Sequence, residues 1–218
     1  MVDEVIRSRR RTIAIEVRKN ASVVVRAPYH ASNAVIHAFI RDKARWIEEK
    51  REIARERGGR TKRFVDGEEF YYLGAPYALH LVDDAPRPLS FDGAFLLSRK
   101  GIDDARSHFV EWYRAEARAM LPERTALHAA AAGLSYGKVA ITRAESRWGS
   151  CGVKGSLNFS WRLMMTPRKV VDYIVVHEVA HLEVRNHSRR FWRRVEELFP
   201  DYRQCERWLR ENEHHLTL

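Results

Sequence analysis

The fold is decided by residues Thr166–Leu182, TPRKVVDYIVVHEVAHL, an apolar segment that contains two histidines near its end. Thr166 followed by Pro167 is typical of a helix start, with the N-cap first and the first helical residue second. The helix is predicted to run from Pro167 to Leu182, and its many apolar side chains indicate that it is buried. Histidines on so buried a helix are costly unless each has a partner. The segment therefore predicts a core helix that carries a polar site.

The two histidines, His177 and His181, belong to the pattern H-E-x-x-H with Glu178. Positions i and i+4 share one helix face, so both rings can direct a nitrogen at one cation. In such a site zinc polarises a water and the adjacent carboxylate takes its proton, which makes a nucleophile for an amide carbonyl. The pattern predicts a zinc-dependent hydrolase that acts on peptide bonds, with a non-peptide amide as an alternative substrate. A pair of satisfied core histidines is the alternative without chemistry.

A catalytic zinc site has three protein ligands and an open position for water. His187 is the leading third ligand, because it lies six residues after His181, past the expected helix end and just after Arg185-Asn186, where a short turn can bring it back over the metal. The same spacing occurs in H-E-x-x-H-x-x-G-x-x-H. Val184 stands at the glycine position, however, and no methionine turn follows, which argues against that class. Glu206 is a rival ligand, as in zincins that use a glutamate, although an exposed helix glutamate is its simpler interpretation.

The first hundred residues predict mostly sheet with one long helix. Residues 11–18 and 22–26 alternate apolar and polar side chains around Lys19-Asn20, which predicts a hairpin. Ser32 or Asn33 is expected to cap a helix that ends at Gly58-Gly59. Four further strands are expected to form a meander: Phe70–Leu73, Tyr77–Val82, Leu89–Phe91 and Ala94–Ser98, the last two joined by Asp92-Gly93.

From Asp103 the apolar spacing becomes helical, and Pro122 is expected to kink or divide this helix before Gly133. The elements expected after it are strands Val139–Thr142 and Ser156–Trp161, which flank a glycine-containing loop at 147–152, and helices around Ser188–Phe199 and Asp201–Glu213. We therefore predict an α+β fold. It has a β-rich region with one long helix at residues 1–102 and a zincin-like catalytic domain at residues 103–218.

The composition is that of a folded globular protein. Of the 218 residues 45% are hydrophobic, and no repeat or low-complexity segment occurs. No apolar run reaches the ~18 residues that cross a bilayer, and residues 1–11 lack the apolar core of a signal peptide. A cytoplasmic protein without membrane contact is expected. Cys151 and Cys205 are too few for a disulfide framework and are expected to be free thiols.

The chain is basic, with 39 Lys and Arg against 29 Asp and Glu and a formal net charge of +10. Such a charge favours polyanions as partners, and the basic run Arg7, Arg9, Arg10 and Arg11 indicates a nucleic-acid contact. A well-solvated basic surface is the alternative. The second function hypothesis is therefore a nucleic-acid-associated protein, either a DNA-dependent protease or a DNA-binding protein with a structural zinc.

Substrate-binding residues are expected around the loop that begins with Arg147 and Trp148. This loop adjoins the strand Ser156–Trp161, which contains Asn158, and such a strand in zincin-like folds often pairs with an extended substrate. A tight structural turn with Trp148 packed beneath it is an equal alternative. Tyr202 and Arg147 are candidates for a second oxyanion stabiliser beside zinc.

The sequence also resembles the YgjP-like metallopeptidases, which are related to the SprT-type proteases. The matching segments are Arg147–Cys151, Leu157–Phe159, Thr166-Pro167, Asp172-Tyr173, His177–Leu182, Asn186–Ser188, Phe191-Trp192 and Pro200–Tyr202 in the second half, and Ala27-Pro28, Trp46-Ile47 and Tyr72–Gly74 in the first. The resemblance thus covers nearly the whole chain. It implies a zinc site with His177, His181 and His187 as ligands, Glu178 as general base and a protein or peptide substrate that it does not name.

Overall fold

The computed structural model describes residues 2–18, 20–57, 62–83, 85–144 and 147–218. Two units are formed, Met1–Arg60 and Thr61–Leu218. The first contains β1 (Glu4–Ser8), β2 (Ala14–Val17), β3 (Val23–Pro28), α1 (Asn33–Asp42) and α2 (Ala44–Arg57). The second contains β4 (Glu69–Tyr72), β5 (Ala75–Val82), β6 (Leu89–Phe91), β7 (Phe95–Ser98), α3 (Ala105–Ala132), β8 (Val139–Thr142), β9 (Gly149–Cys151), β10 (Leu157–Ser160), α4 (Arg168–Ala180), α5 (Arg189–Leu198) and α6 (Tyr202–Asn212).

The first unit is built on a three-stranded sheet with β3 in the centre, in the order β1-β3-β2. β2 and β3 are antiparallel, with Val17 opposite Val23, which confirms the predicted hairpin. Lys19, in its turn, lies outside the described residues. β1 pairs with β3 in parallel and is not predicted, because its side chains are exposed or half-buried and show no apolar alternation.

Two helices follow the sheet where the sequence predicts one. Ser32 caps α1 through its side chain, as expected. The backbone turns at Lys43, whose amide donates to the carbonyl oxygen of Phe39 and whose own oxygen accepts from the amide of Ile47. No glycine or proline marks this turn, so apolar spacing alone indicates a continuous helix. The predicted helix end at Gly58-Gly59 lies outside the described residues.

A sheet in the order β4-β5-β7-β6 opens the second unit. The predicted strands are present, but their order is not a meander, because β7 lies beside β5 and is parallel to it. β6 and β7 form the predicted hairpin at Asp92-Gly93, with Gly93 in the left-handed region at φ 68°. Phe95 and Leu97 of β7 are fully buried, whereas β6 lies at the edge of the sheet. Burial of these two side chains accounts for the inner position of β7.

α3 continues through Pro122 and ends at Gly133, whose φ of 68° closes the helix. Of the two predicted alternatives, a kink or a division at the proline, the division is therefore wrong. Proline removes one helical hydrogen bond. Leu121 and Thr125 are fully buried, and the Thr125 hydroxyl donates to the Leu121 carbonyl at 2.7 Å, so packing around the proline holds the helix together.

The four-stranded sheet shares its core with α3. The Phe70 ring of β4 stacks on Phe109 of α3 with centroids 4.1 Å apart, and Phe95 of β7 lies 5.0 Å from the same ring. The two units therefore divide between Arg60 and Thr61, whereas the change from strand to helix patterns suggests a division after residue 102. The fold of the described residues is mixed α+β, with six α-helices.

The third sheet, in the order β8-β10-β9, and the helix α4 carry the predicted site. α4 is buried as expected, and Val175 and Val179 are fully inaccessible. Its start differs from the prediction by one residue. Pro167 is the N-cap, and the Thr166 hydroxyl instead donates to the Leu163 carbonyl at 2.8 Å in the preceding turn.

An ion pair holds α4 against α3. Arg124 donates from Nε and Nη2 to the two carboxylate oxygens of Asp172, at 2.6 and 2.8 Å. His128 Nε2 lies 3.3 Å from the same carboxylate. A two-point contact of this kind fixes the orientation of the groups it joins, so the rotation of α4 about its axis is defined.

Cys151 is half-buried and Cys205 is buried, and both are free thiols as predicted. In the part of the chain that the structure describes, no helix combines the length and apolarity needed to cross a membrane.

Candidate metal centre

Three histidine side chains converge at the end of α4. Nε2 of His187 lies 3.1 Å from Nε2 of His177 and 3.1 Å from Nε2 of His181. The three ligand atoms all lie within 4.8 Å of one another, and they form the one such group of three or more His, Cys, Asp or Glu side chains among the described residues. The structure thus brings together the three residues that the sequence predicts as metal ligands.

His187 reaches this group from the turn between α4 and α5. Asn186 Oδ1 accepts a hydrogen bond from the Ser188 amide at 3.3 Å, and Ser188 is the N-cap of α5. The turn folds the chain back over the end of α4. His181 is buried and His187 is exposed, so the group of nitrogens faces solvent on the His187 side.

The surroundings of His177 and His181 favour the neutral form of these two imidazoles. Burial, with the neighbouring His181 and His187 rings, lowers the pKa of His177 to about 3. Burial also lowers the pKa of His181. Nδ1 of His181 lies 3.0 Å from the Val184 carbonyl oxygen. Because a carbonyl only accepts, this Nδ1 carries the proton and the Nε2 atom presents a lone pair.

The three nitrogens fit a zinc ion. Lone pairs that face one another repel unless a cation or a proton lies between them. A tetrahedral zinc with Zn–N bonds of about 2.0–2.1 Å has nitrogens about 3.3 Å apart, close to the 3.1 Å separations of this site. Three imidazoles also leave a fourth position open, as in catalytic rather than structural zinc sites.

Val184 occupies the position of the glycine in the longer H-E-x-x-H-x-x-G-x-x-H pattern, and the backbone at this position does not require glycine. Among the described residues other than glycine, only Ala21, Phe64 and Leu73 have positive φ. Position 184 therefore requires no glycine, and its side chain is buried. Its carbonyl also fixes the tautomer of His181, which is the usual role of an outer partner in a metal site.

Phe191 packs against all three histidine rings and was not predicted as part of the site. Its ring centroid lies 4.9 Å from His177, 4.3 Å from His181 and 4.9 Å from His187. It is fully buried and follows His187 by four residues on α5. The sequence indicates only a core position for Phe191, because His187 precedes the N-cap Ser188 and no helical spacing relates the two residues. Phe191 limits the rotation of each ring.

Glu178 is buried beside His177, and the strand β9 passes directly over it. A Cβ atom added to Gly149 would lie 2.6 Å from Glu178 Oε1 and 2.7 Å from its Cγ. Only glycine therefore leaves room for the carboxylate at this point. Burial raises the pKa of Glu178 to about 7, against the opposing charge of Arg147.

The rival ligand Glu206 lies outside the histidine group. Its Oε1 accepts a hydrogen bond from the Tyr173 hydroxyl at 3.2 Å. The Tyr173 ring in turn lies 6.0 Å from the ring of His177. Tyr173 thus lies between Glu206 and the ring of His177.

The sequence matches the YgjP-like metallopeptidase domain over residues 11–212. The chain belongs to this YgjP-like family. It is therefore a metal-dependent peptidase, and the resemblance stated from its sequence is confirmed. Among solved structures it is similar to the metallopeptidase zymogen of Pyrococcus abyssi abylysin, at 23% identity over 42% of this chain and 94% of that chain, with a TM-score of 0.39. This likeness is too low to support an argument. No curated protein is significantly similar to the chain.

In this YgjP-like metallopeptidase, three of the four predicted substrate-binding residues line one pocket. Arg147, Trp148 and Asn158 surround a volume of about 220 Å³ together with Thr142, Ala144, Gly149 and Ser150. Trp148 is also packed as a structural residue, because the guanidinium of Arg162 lies 4.7 Å from its ring centroid. The two interpretations of Trp148 are therefore compatible.

Tyr202, the fourth predicted residue, is placed differently. Its side chain is buried, its ring stacks on Trp192 at 5.6 Å, and its hydroxyl accepts from Arg203 Nε at 3.1 Å. Trp192 stacks in turn on His187 at 5.9 Å. Tyr202 thus supports the wall behind His187 and does not line the pocket described above.

The edge strand beside Glu178 is not the strand that the sequence suggests for pairing with a substrate. β10, within the predicted Ser156–Trp161 segment, is paired on both sides, with β8 and with β9. Its hydrogen-bonding groups are occupied, so it offers no edge to a peptide. The predicted loop at 147–152 instead contains the edge strand β9, which lies over Glu178. β9 has three residues, which are too few to show the alternation of apolar and polar side chains from which a strand is predicted.

Arg185, which follows α4, contacts the end of the edge strand β9 and the turn after it. The sequence did not predict this contact. Its Nη1 donates to the Gly152 carbonyl at 2.9 Å and contacts Cys151 Sγ at 3.2 Å, and its Nη2 donates to the Val153 carbonyl at 3.1 Å. These contacts connect the turn that follows β9 with the segment that carries His187.

Proposed function

We propose that this YgjP-like protein hydrolyses peptide bonds with one zinc ion held by His177, His181 and His187 and with Glu178 as general base. The observation that supports it is the convergence of three imidazole nitrogens, two of their separations being 3.1 Å, next to a buried glutamate of the same helix. A zincin-like centre has this organisation: one helix supplies two ligands and the base, and the third ligand comes from beyond it.

The ligand set favours a catalytic zinc over the structural zinc of the alternative hypothesis, because structural sites have four protein ligands. When bound, zinc would polarise the substrate carbonyl and lower the pKa of a water to about 7. Burial lowers the pKa of His177 and of His181, which favours the neutral form that a metal ligand must have.

The role proposed for Glu178 is proton transfer. Its carboxylate accepts the proton of the attacking water and passes it to the amine that leaves. The absence of a side chain at Gly149 keeps Oε1 reachable from the edge of β9. An extended peptide added to that edge would be held by backbone hydrogen bonds within reach of the same carboxylate.

The test is digestion of a defined peptide mixture by purified protein, with cleavage products identified by mass spectrometry. We expect new termini with the zinc-loaded protein, their loss after chelation and their return when zinc is added back. A zinc-loaded protein that cleaves no peptide in the mixture would contradict the proposal.

For the second hypothesis, we propose nucleic acid as a partner of the first unit. Residues 1–60 contain 15 Lys and Arg against 8 Asp and Glu, so they hold most of the net charge. Arg9 and Arg11 are exposed. Arg7, by contrast, is engaged: its Nη1 donates to the carbonyls of Pro28, Tyr29 and Ala31, and its Nη2 donates to Asn33 Oδ1. Within the basic run, Arg9 and Arg11 are therefore the exposed cations, and Arg10 between them is half-buried.

If nucleic acid binds there, replacing Arg9, Arg10 and Arg11 with glutamine should reduce the slope of log affinity against log salt by about 2 to 3, because each phosphate contact contributes about 0.7–0.9. Fluorescence anisotropy with labelled oligonucleotides over a salt series measures this slope. The matched control replaces Arg18, Arg26 and Arg45, which pair with Glu4, Glu16 and Glu49. Absence of binding at about 50 mM salt would end the hypothesis.

A further inference from the structure

The sheet β8-β10-β9 has one apolar and one polar face. Leu157 and Phe159 of β10 are fully buried in the core. The intervening Asn158 lies opposite Ser150 on β9, and its Nδ2 donates to Ser150 Oγ at 3.3 Å, so both side chains are on the other face. Side chains alternate between the faces of a strand, and this second face is therefore polar.

The pocket that contains Arg147 opens on this polar face. It is lined by Thr142, Ala144, Arg147, Trp148, Gly149, Ser150 and Asn158. Its volume of about 220 Å³ is below the roughly 300–1,000 Å³ of pockets for whole small molecules. It therefore suits a single side chain.

The chemistry of the lining selects an anion. Arg147 supplies an exposed guanidinium, with no carboxylate within ion-pair distance among the described residues. Asn158 Nδ2 makes only long hydrogen bonds, 3.3 and 3.4 Å, to Ser150. No lining residue that the structure describes carries a carboxylate. Among the described residues of the lining, a bound group therefore meets one cation and several donors.

The backbone of Gly149 separates the pocket from the proposed general base, which lies on the opposite, apolar side of the sheet because Gly149 pairs with the buried Phe159. Gly149 lines the pocket, and a Cβ placed on it would lie 2.6 Å from Glu178 Oε1. A peptide that extends the sheet at β9 presents every second side chain to the polar face. One such side chain, close to the bond that is cut, would lie over the pocket.

We infer that this pocket binds an acidic side chain, Asp or Glu, of the peptide substrate through the guanidinium of Arg147 and the amide of Asn158. The inference rests on the proposed peptidase function and adds its specificity. Trp148, held against Arg162, forms the apolar wall for the methylene groups of that side chain.

The experiment compares peptide pairs that differ by Glu or Gln at one position, placed in turn at each site around the scissile bond. We expect the Glu peptide to have a kcat/KM at least about 10-fold higher at one position, because a charge-assisted hydrogen bond is about twice as strong as a neutral one. Arg147→Gln should bring the ratio to about one, and Arg147→Lys should keep part of it.

The ratio within one variant is the quantity of interest, because Arg147 also acts on Glu178 and its loss alters the rate for every peptide. Arg143→Gln is the matched control, since Arg143 is exposed and pairs with Glu111 at 3.3 Å. This control should keep the wild-type ratio. Equal rates for the Glu and Gln peptides at every position would contradict the proposed binding of an acidic side chain. They would leave the proposed peptidase function unaffected.

A binding measurement tests the acidic side-chain pocket independently of the peptidase function on which this inference rests. The same peptide pairs are titrated into zinc-loaded Glu178→Gln protein by calorimetry. One outcome is that the Glu peptide binds at least about 10-fold more tightly than the Gln peptide, with the difference abolished by Arg147→Gln, while the wild type hydrolyses no peptide. That result would support the acidic side-chain pocket and contradict the peptidase proposal. Equal binding of both peptides contradicts the pocket.

Discussion

Replacing Glu178 with glutamine is expected to lower kcat by at least about 100-fold, because general base catalysis contributes about 10²- to 10⁴-fold. Glutamine has nearly the same shape, so it fits in the space that Gly149 leaves. Its amide does not take up a proton at neutral pH, and the step that Glu178 performs is lost. The three histidines are unchanged, so the zinc content should equal that of the wild type.

Steady-state hydrolysis of a fluorogenic peptide, with zinc measured on the same samples, tests this expectation. Glu183→Gln is the matched control, because Glu183 is exposed and pairs with Arg190 and Arg194 at 3.4 and 3.0 Å. It should retain most of the activity. A Glu178→Gln protein that hydrolyses peptides at the wild-type rate would remove Glu178 from the mechanism.

Replacing His187 with alanine is expected to weaken zinc binding by more than about 100-fold. Loss of an outer hydrogen-bond partner of a ligand already costs about 10- to 100-fold, and here a ligand itself is removed. Only His177, in the last turn of α4, and His181, its C-cap residue, would remain. Competition against a chromogenic chelator at fixed pH measures the affinity.

The same assay distinguishes His187 from its rival. Glu206→Gln keeps an acceptor for the Tyr173 hydroxyl, so it tests ligation without disturbing the ring beside His177. It should bind zinc almost as the wild type does. His80→Ala, at an exposed histidine of β5, is the control for loss of a ring. Wild-type zinc affinity in His187→Ala would refute the three-histidine site.

The site helix could be predicted from the sequence because two signals agree on it. The apolar run before His177 requires burial, and the i, i+4 spacing places His177 and His181 on one face whatever the rest of the fold does. His187 follows within a short turn, so few conformations separate it from the other two. Local spacing therefore determines most of the cluster.

Features that depend on distant parts of the chain could not be predicted in this way. The edge strand β9 has three residues and is defined by its pairing with β10. The order β4-β5-β7-β6 results from the burial of Phe95 and Leu97 in the core and not from the strand patterns. The contact of Gly149 with Glu178 joins two segments that no spacing relates.

The most direct test of the central claim is a zinc titration of metal-free wild-type protein while peptide hydrolysis is followed. The account predicts no hydrolysis without metal, a linear rise on addition of zinc and a plateau at one zinc per chain, as one group of three histidines implies. Full hydrolysis by the metal-free protein, or a plateau of zinc binding without hydrolysis of any peptide, would contradict it.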